Sequence, residues 1–182
     1  MKTFNIPPST GSFLLLAALT CPLLVYAADH AHVHGVAKLD IAVEDNKLTL
    51  QLDSPMDNLL GFERAPRTDA ERRLADGVVA QLRAASTLFK IDPAAQCTLA
   101  KVELISAALK LGTPDPAESQ DGHADLDGSF EFNCADATKA AYVDVGLFSF
   151  AHVQRLEVRV VTARGQYKRD LKRPAQRVEL NK

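Results

Sequence analysis

From His34 the chain alternates: Ala37, Leu39, Ile41 and Val43 fall on one side, Val36, Lys38 and Asp40 on the other. After Glu44-Asp45-Asn46 the alternation resumes, with Leu48, Leu50 and Leu52 set against Thr49, Gln51 and Asp53. Residues two apart share a strand face, so two such runs around an acidic turn predict a β-hairpin with one buried face. Ser54-Pro55-Met56-Asp57 then offers a cap, a proline at the first helical position and an acid in the first turn. A short helix through Leu59 and Leu60, stopped by Gly61, follows from it. Thr68-Asp69-Ala70-Glu71 is a capping box and opens one long helix. Its expected apolar stripe is Leu74, Val78, Leu82 and Phe89, with Arg72, Arg73, Asp76 and Arg83 outward.

Asp92-Pro93 closes that region, and a strand over residues 98–109 carries Leu99 and the irregularly spaced Val102, Leu104 and Ile105. Phe130, Phe132 and Cys134, alternating with Glu131 and Asn133, mark its partner. Residues 112–128 between them are rich in Pro, Asp, Gly, Ser and Ala and read as a flexible acidic loop, long for a structureless connection. Further on come Val143 and Val145, a turn or short helix from Phe148 to His152, and a strand with Leu156, Val158 and Val160. Arg164-Gly165 turns the chain into Tyr167, Arg169 and Leu171, and Val178-Glu179-Leu180 adds a last short strand. The expected class is α+β: a predominantly antiparallel sheet built from hairpins, with one long helix and one or two short ones.

The N-terminus changes where this domain lives. Lys2, an apolar run from Phe13 to Val25 and the small Ala27 after Tyr26 have the three parts of a cleaved export signal over residues 1–27. Pro22 interrupts the run, which is also short of the roughly 20 residues a bilayer span needs. Residues 28–182 are then one periplasmic domain with no stable membrane span. A formal net charge of −2 disfavours nucleic acid as a partner. Cleavage removes Cys21 and leaves Cys97 and Cys134, a pair expected to be disulfide-bonded in an oxidising compartment. Neither sits in a CxxC or Cys/His cluster of the kind that holds zinc.

Enzyme signatures are missing: there is no GxGxxG, phosphate loop, GxSxG or HExxH, and no visible nucleophile–base arrangement. Asp121, Asp125 and Asp127 lack the register of a calcium loop. His152, among Phe148, Phe150 and Val153, reads as a partly buried structural histidine. No enzymatic activity is expected.

One cluster carries chemistry. In Asp29-His30-Ala31-His32-Val33-His34, three of the chain's five histidines alternate, and an extended backbone would place them on one face about 6.5 Å apart. That face is the one of Lys38 and Asp40, towards solvent. Imidazole is the commonest metal ligand, so these residues are candidate Zn ligands. A solvated, His-rich terminus is the other reading. Cleavage after Ala27 would also leave a free amine with His30 in third position, a nitrogen set that suits square-planar Cu or Ni.

The chain resembles the ZrgA-like, zinc-regulated periplasmic proteins. The resemblance is carried by His32-Val33-His34-Gly35-Val36-Ala37, by the run from Ser54 to Glu63, by Ala65-Pro66-Arg67-Thr68, and, in order, by Cys97, Phe130 to Cys134, Leu147-Phe148 and Leu156-Glu157-Val158. It implies an exported zinc-binding accessory protein of zinc homeostasis or uptake, working beside periplasmic components of a zinc importer. It implies His30, His32 and His34 as metal ligands, with His123 closing from the loop. Two departures stand out: the loop keeps only His123, and Arg64 follows Gly-Phe-Glu where many members have histidine. A fixed positive charge there cannot coordinate a cation and would repel one. The alternative is a metal-free periplasmic binding or assembly module on the same fold.

Overall fold

A computed structural model describes residues 33–114 and 124–181. The first predicted hairpin is present as β1 (Val36–Val43) and β2 (Lys47–Asp53), paired antiparallel from Lys38↔Asp53 to Val43↔Leu48. Then come α1 (Met56–Leu60), α2 (Asp69–Arg83), α3 (Ala85–Leu88), β3 (Phe89–Ile91), β4 (Cys97–Ile105), β5 (Asp127–Cys134), β6 (Tyr142–Val145), β7 (Arg155–Thr162), β8 (Gly165–Lys172) and β9 (Arg177–Glu179).

The α+β expectation is overturned. Among the described residues nine strands in two sheets dominate, and the helices are short pieces beside them. One sheet runs β4-β5-β2-β1-β7-β8 and the other β3-β6-β9. The first is not wholly antiparallel either, because β1 and β7 pair in parallel from Val36↔Arg155 to Ala42↔Val161. A parallel pairing between strands more than a hundred residues apart leaves no trace in local periodicity, since each strand alternates the same way whichever neighbour it meets.

The capping box forms as expected: Thr68 Oγ1 accepts from Glu71 N–H and the Glu71 carboxylate accepts from Thr68 N–H. Yet α2 stops at Arg83, because Ala84 leaves helical geometry at ψ 44°. The buried stripe is Ala75, Val78 and Leu82, not the expected Leu74-led one; Leu74 is 48% exposed, and Phe89 belongs to β3. In α1 the cap also differs: Pro55 is the N-cap and Ser54 lies before it, its hydroxyl turned to the Pro55 carbonyl at 3.1 Å.

The irregular spacing on β4 has a simple cause. A bulge between Leu99 and Lys101 inserts one residue and shifts the parity, so Leu99, Val102 and Leu104 all turn to the inner face. That face joins the buried sides of β3, β6, β9 and the helices in a single core, with the Phe89 and Phe130 rings 4.9 Å apart. The opposite face of the large sheet is polar and laced with pairs such as Lys38–Asp53 (3.1 Å) and Lys47–Glu131 (3.3 Å). Each contributes little to stability. Cys97 and Cys134 sit directly opposite at one end of β4 and β5 and form a disulfide.

The far end of the expected 112–128 loop is ordered. Leu126 is fully buried and its N–H donates to the Ser54 carbonyl at 3.0 Å, while the Ala124 carbonyl accepts from Met56 N–H at 2.8 Å. Residues 115–123 are outside the described set. No helix among the described residues is long and apolar enough to cross a membrane.

Candidate metal centre

The His-rich segment reaches the described structure only at its last member. His30, His32 and His123 lie outside the described residues. His34 does not continue the strand parity expected of it: it sits in a turn, and Gly35 at φ +82° redirects the chain into β1. A residue with a Cβ adopts that φ only at a cost, so the glycine allows the sharp entry.

That turn is fastened to α1. Asn58, fully buried, accepts from Gly35 N–H through Oδ1 at 2.6 Å and donates through Nδ2 to the Val36 carbonyl at 2.7 Å. Asp57 precedes Asn58 in the first turn of α1, so the clamp brings His34 onto the Asp57 carboxylate: Nδ1 donates to Oδ2 at 3.0 Å. Gly61 closes α1 in the left-handed conformation at φ +79° and turns the chain back, placing Glu63 Oε1 3.6 Å from His34 Nε2. The imidazole side chain is 64% exposed, whereas Asp57 and Glu63 are at 22% and 19%. One ring nitrogen therefore faces each carboxylate, in a mouth open to solvent.

The donor set fits zinc. A carboxylate on Nδ1 fixes the proton there and leaves Nε2 as the metal-facing nitrogen, the usual outer-shell arrangement around a zinc histidine. Two donors of one tetrahedral zinc, each at about 2.0–2.1 Å, stand about 3.3 Å apart, close to the observed Nε2–Oε1 separation. In such a site Asp57 would orient the ring, and His34 and Glu63 could supply donors. Among the described residues no ready-made group of three or more His, Cys, Asp and Glu side chains surrounds a common point. These two would need completion from elsewhere.

Arg64, expected to repel a cation, has a carboxylate partner of its own. Its guanidinium forms a two-pronged contact with Glu71 at 2.7 and 2.9 Å and lies 5.1 Å from the Phe62 ring centroid. Its charge is matched on α2. The Glu71 carboxyl is held down to about 2, first by Arg64 and then by the N–H groups of Arg67 and Thr68.

His152 is a further correction. It is exposed, not partly buried, because Phe150 and Val153 on either side turn into the core and leave it on the outside of the turn.

The family model for ZrgA family zinc uptake proteins matches residues 31–180. The chain belongs to that family. No curated relative matches the chain. The matched span runs from the histidine segment through β9, so the ZrgA match covers every element that builds the His34 site. Sequence reasoning missed Asp57 and Glu63 as part of that site. From the sequence Asp57 is a helix-start acid, and both residues lie in Ser54 to Glu63, one of the stretches that carry the resemblance.

Proposed function

We propose that this ZrgA-family chain is an exported, periplasmic zinc-binding accessory protein, not an enzyme, that holds zinc at the beginning of its mature domain and serves zinc uptake beside an importer. The observation that carries this reading is the His34 imidazole set between Asp57 and Glu63, with Nδ1 engaged and Nε2 opposite a second carboxylate. His32, two residues before His34, is near enough in sequence to add a nitrogen, and His30 and His123 are the remaining candidates. Zinc would be held as cargo: nitrogen and carboxylate donors at an open mouth allow loading and release, unlike a closed four-sulfur structural site.

Calorimetric titration of the metal-stripped protein with zinc tests this. Stoichiometric binding that is lost in the His30→Ala, His32→Ala, His34→Ala triple variant and weakened in Glu63→Gln supports it. The absence of binding heat in the unmodified protein would leave the metal-free binding module as the better account.

A further inference from the structure

We propose that His152 is a zinc ligand, supplied to the His34–Glu63 pair from the turn before β7; this rests on the zinc reading above. Three chain segments meet at this corner, and each carries one donor.

The first contact is between His152 and the residue that ends α1. A Cβ built on Gly61 would stand 3.3 Å from His152 Nε2 and 3.4 Å from Cε1, so the ring tip lies against the Gly61 backbone, two residues before Glu63. The second contact is with the residue after His34. The Gly35 carbonyl accepts from both Gln154 N–H at 2.8 Å and Arg155 N–H at 2.9 Å, and the His152 carbonyl lies 3.7 Å from a Cβ built on Gly35. His152 thus touches the immediate neighbourhood of both proposed ligands.

The turn that presents it is held firmly. Phe150 and Val153 are buried, and Val153 N–H donates to the Phe150 carbonyl at 3.2 Å. The Arg173 guanidinium donates to the carbonyls of Phe150 (2.7 Å), Val153 (3.0 Å) and Ala151 (3.3 Å). Backbone motion of residues 150–153 is therefore restrained, while the imidazole itself is exposed and makes no hydrogen bond or ion pair among the described residues. As placed, the ring does not join His34 and Glu63 around a common point; a change of side-chain rotamer, fast for an exposed residue, has to bring it in. A firm backbone with a free donor suits a ligand that closes on its ion. Three protein ligands with one open position would suit exchange better than a closed site.

The test uses the whole metal-stripped protein, with zinc competed against a chromophoric chelator and Co(II) read by its d–d absorption. His152→Gln should bind zinc about tenfold or more weakly and give a weaker Co(II) band, with an unchanged melting temperature in the metal-free state. His34→Gln should lose at least as much. Zinc should also protect His152 of the unmodified protein from diethyl pyrocarbonate, measured by peptide mass, which requires no variant. Unchanged zinc affinity in His152→Gln beside a clear loss in His34→Gln would overturn the His152 assignment and leave the zinc reading intact. Unchanged affinity in both would overturn the His34–Glu63 site together with the His152 assignment, and no zinc binding by the unmodified protein would overturn the zinc reading itself.

Discussion

Asn58 and Gly35 form the joint on which the candidate site depends: the Gly35 N–H reaches Asn58 Oδ1 at 2.6 Å, and the same amide returns a hydrogen bond to the Val36 carbonyl at 2.7 Å. Both chain groups are main-chain atoms at the entry to β1, so one buried side chain serves an N–H and a C=O at once. A buried polar group left without a partner costs about 1–3 kcal/mol. Asn58→Ala should therefore lower stability by about that amount per orphaned group, measured by urea unfolding. It should also weaken zinc binding, because His34 loses its hold against Asp57. A variant that unfolds earlier but binds zinc with wild-type affinity would show that the clamp does not position the imidazole.

The disulfide closes a long stretch of chain. Cys97 and Cys134 are 37 residues apart, and on the chain-entropy estimate a crosslink over that span contributes about 4 kcal/mol. The Cys97→Ala, Cys134→Ala variant should lose about 2–4 kcal/mol in denaturant unfolding, and reductant should bring the unmodified protein to nearly the same midpoint. The two cysteines are remote from His34 along the sheet order, with β5 and β2 between β4 and β1, so zinc affinity should be unaffected.

Glu71 gives a pH signature. Its carboxylate accepts from Arg64, Arg67 N–H and Thr68 N–H, and its folded pKa drops from 4.5 to about 2. A carboxyl with a depressed folded pKa stabilises fully above its unfolded pKa and loses that contribution as pH falls through the folded one. Glu71→Gln should thus be the less stable protein at neutral pH, and its deficit should shrink between about pH 4.5 and pH 2. Unfolding midpoints for both proteins across that range check it. A deficit independent of pH would assign the effect to the capping geometry alone.

Leu74 and Leu82 separate the predicted face of α2 from the real one. Leu82 is fully buried and Leu74 is 48% exposed. Leu82→Ala should cost about 2–5 kcal/mol and Leu74→Ala less than about 0.5 kcal/mol, both by chemical denaturation. Equal effects would place the helix in a different rotation.

Gly61 is required twice over, by its φ of +79° and by the His152 ring against it. Gly61→Ala should cost about 1–2 kcal/mol from the backbone alone. It should also displace the His152 ring, which a shift of its imidazole proton resonances would show.

Much of this fold is written locally. The β1–β2 hairpin, the paired strands that carry Cys97 and Cys134, the Gly61 stop and the Thr68 capping box all follow from two-residue alternation, glycine's freedom at positive φ, and a side chain reaching three residues along. Those are short-range effects, and the residues that cause them are neighbours. What only the tertiary structure decided involves partners distant in sequence. Pairing β1 with β7 in parallel makes one large sheet and, with a small second sheet, sets a strand-dominated class that no periodicity distinguishes from α+β. The same pairing carries the 150–155 turn onto Gly35, and the Asn58 clamp carries His34 onto Asp57. The histidine segment stands out in the sequence as candidate metal chemistry by its composition. That Asp57 and Glu63 flank His34, and that the turn carrying His152 packs against Gly61 and Gly35, was not legible, because long-range packing alone brings these separate segments together.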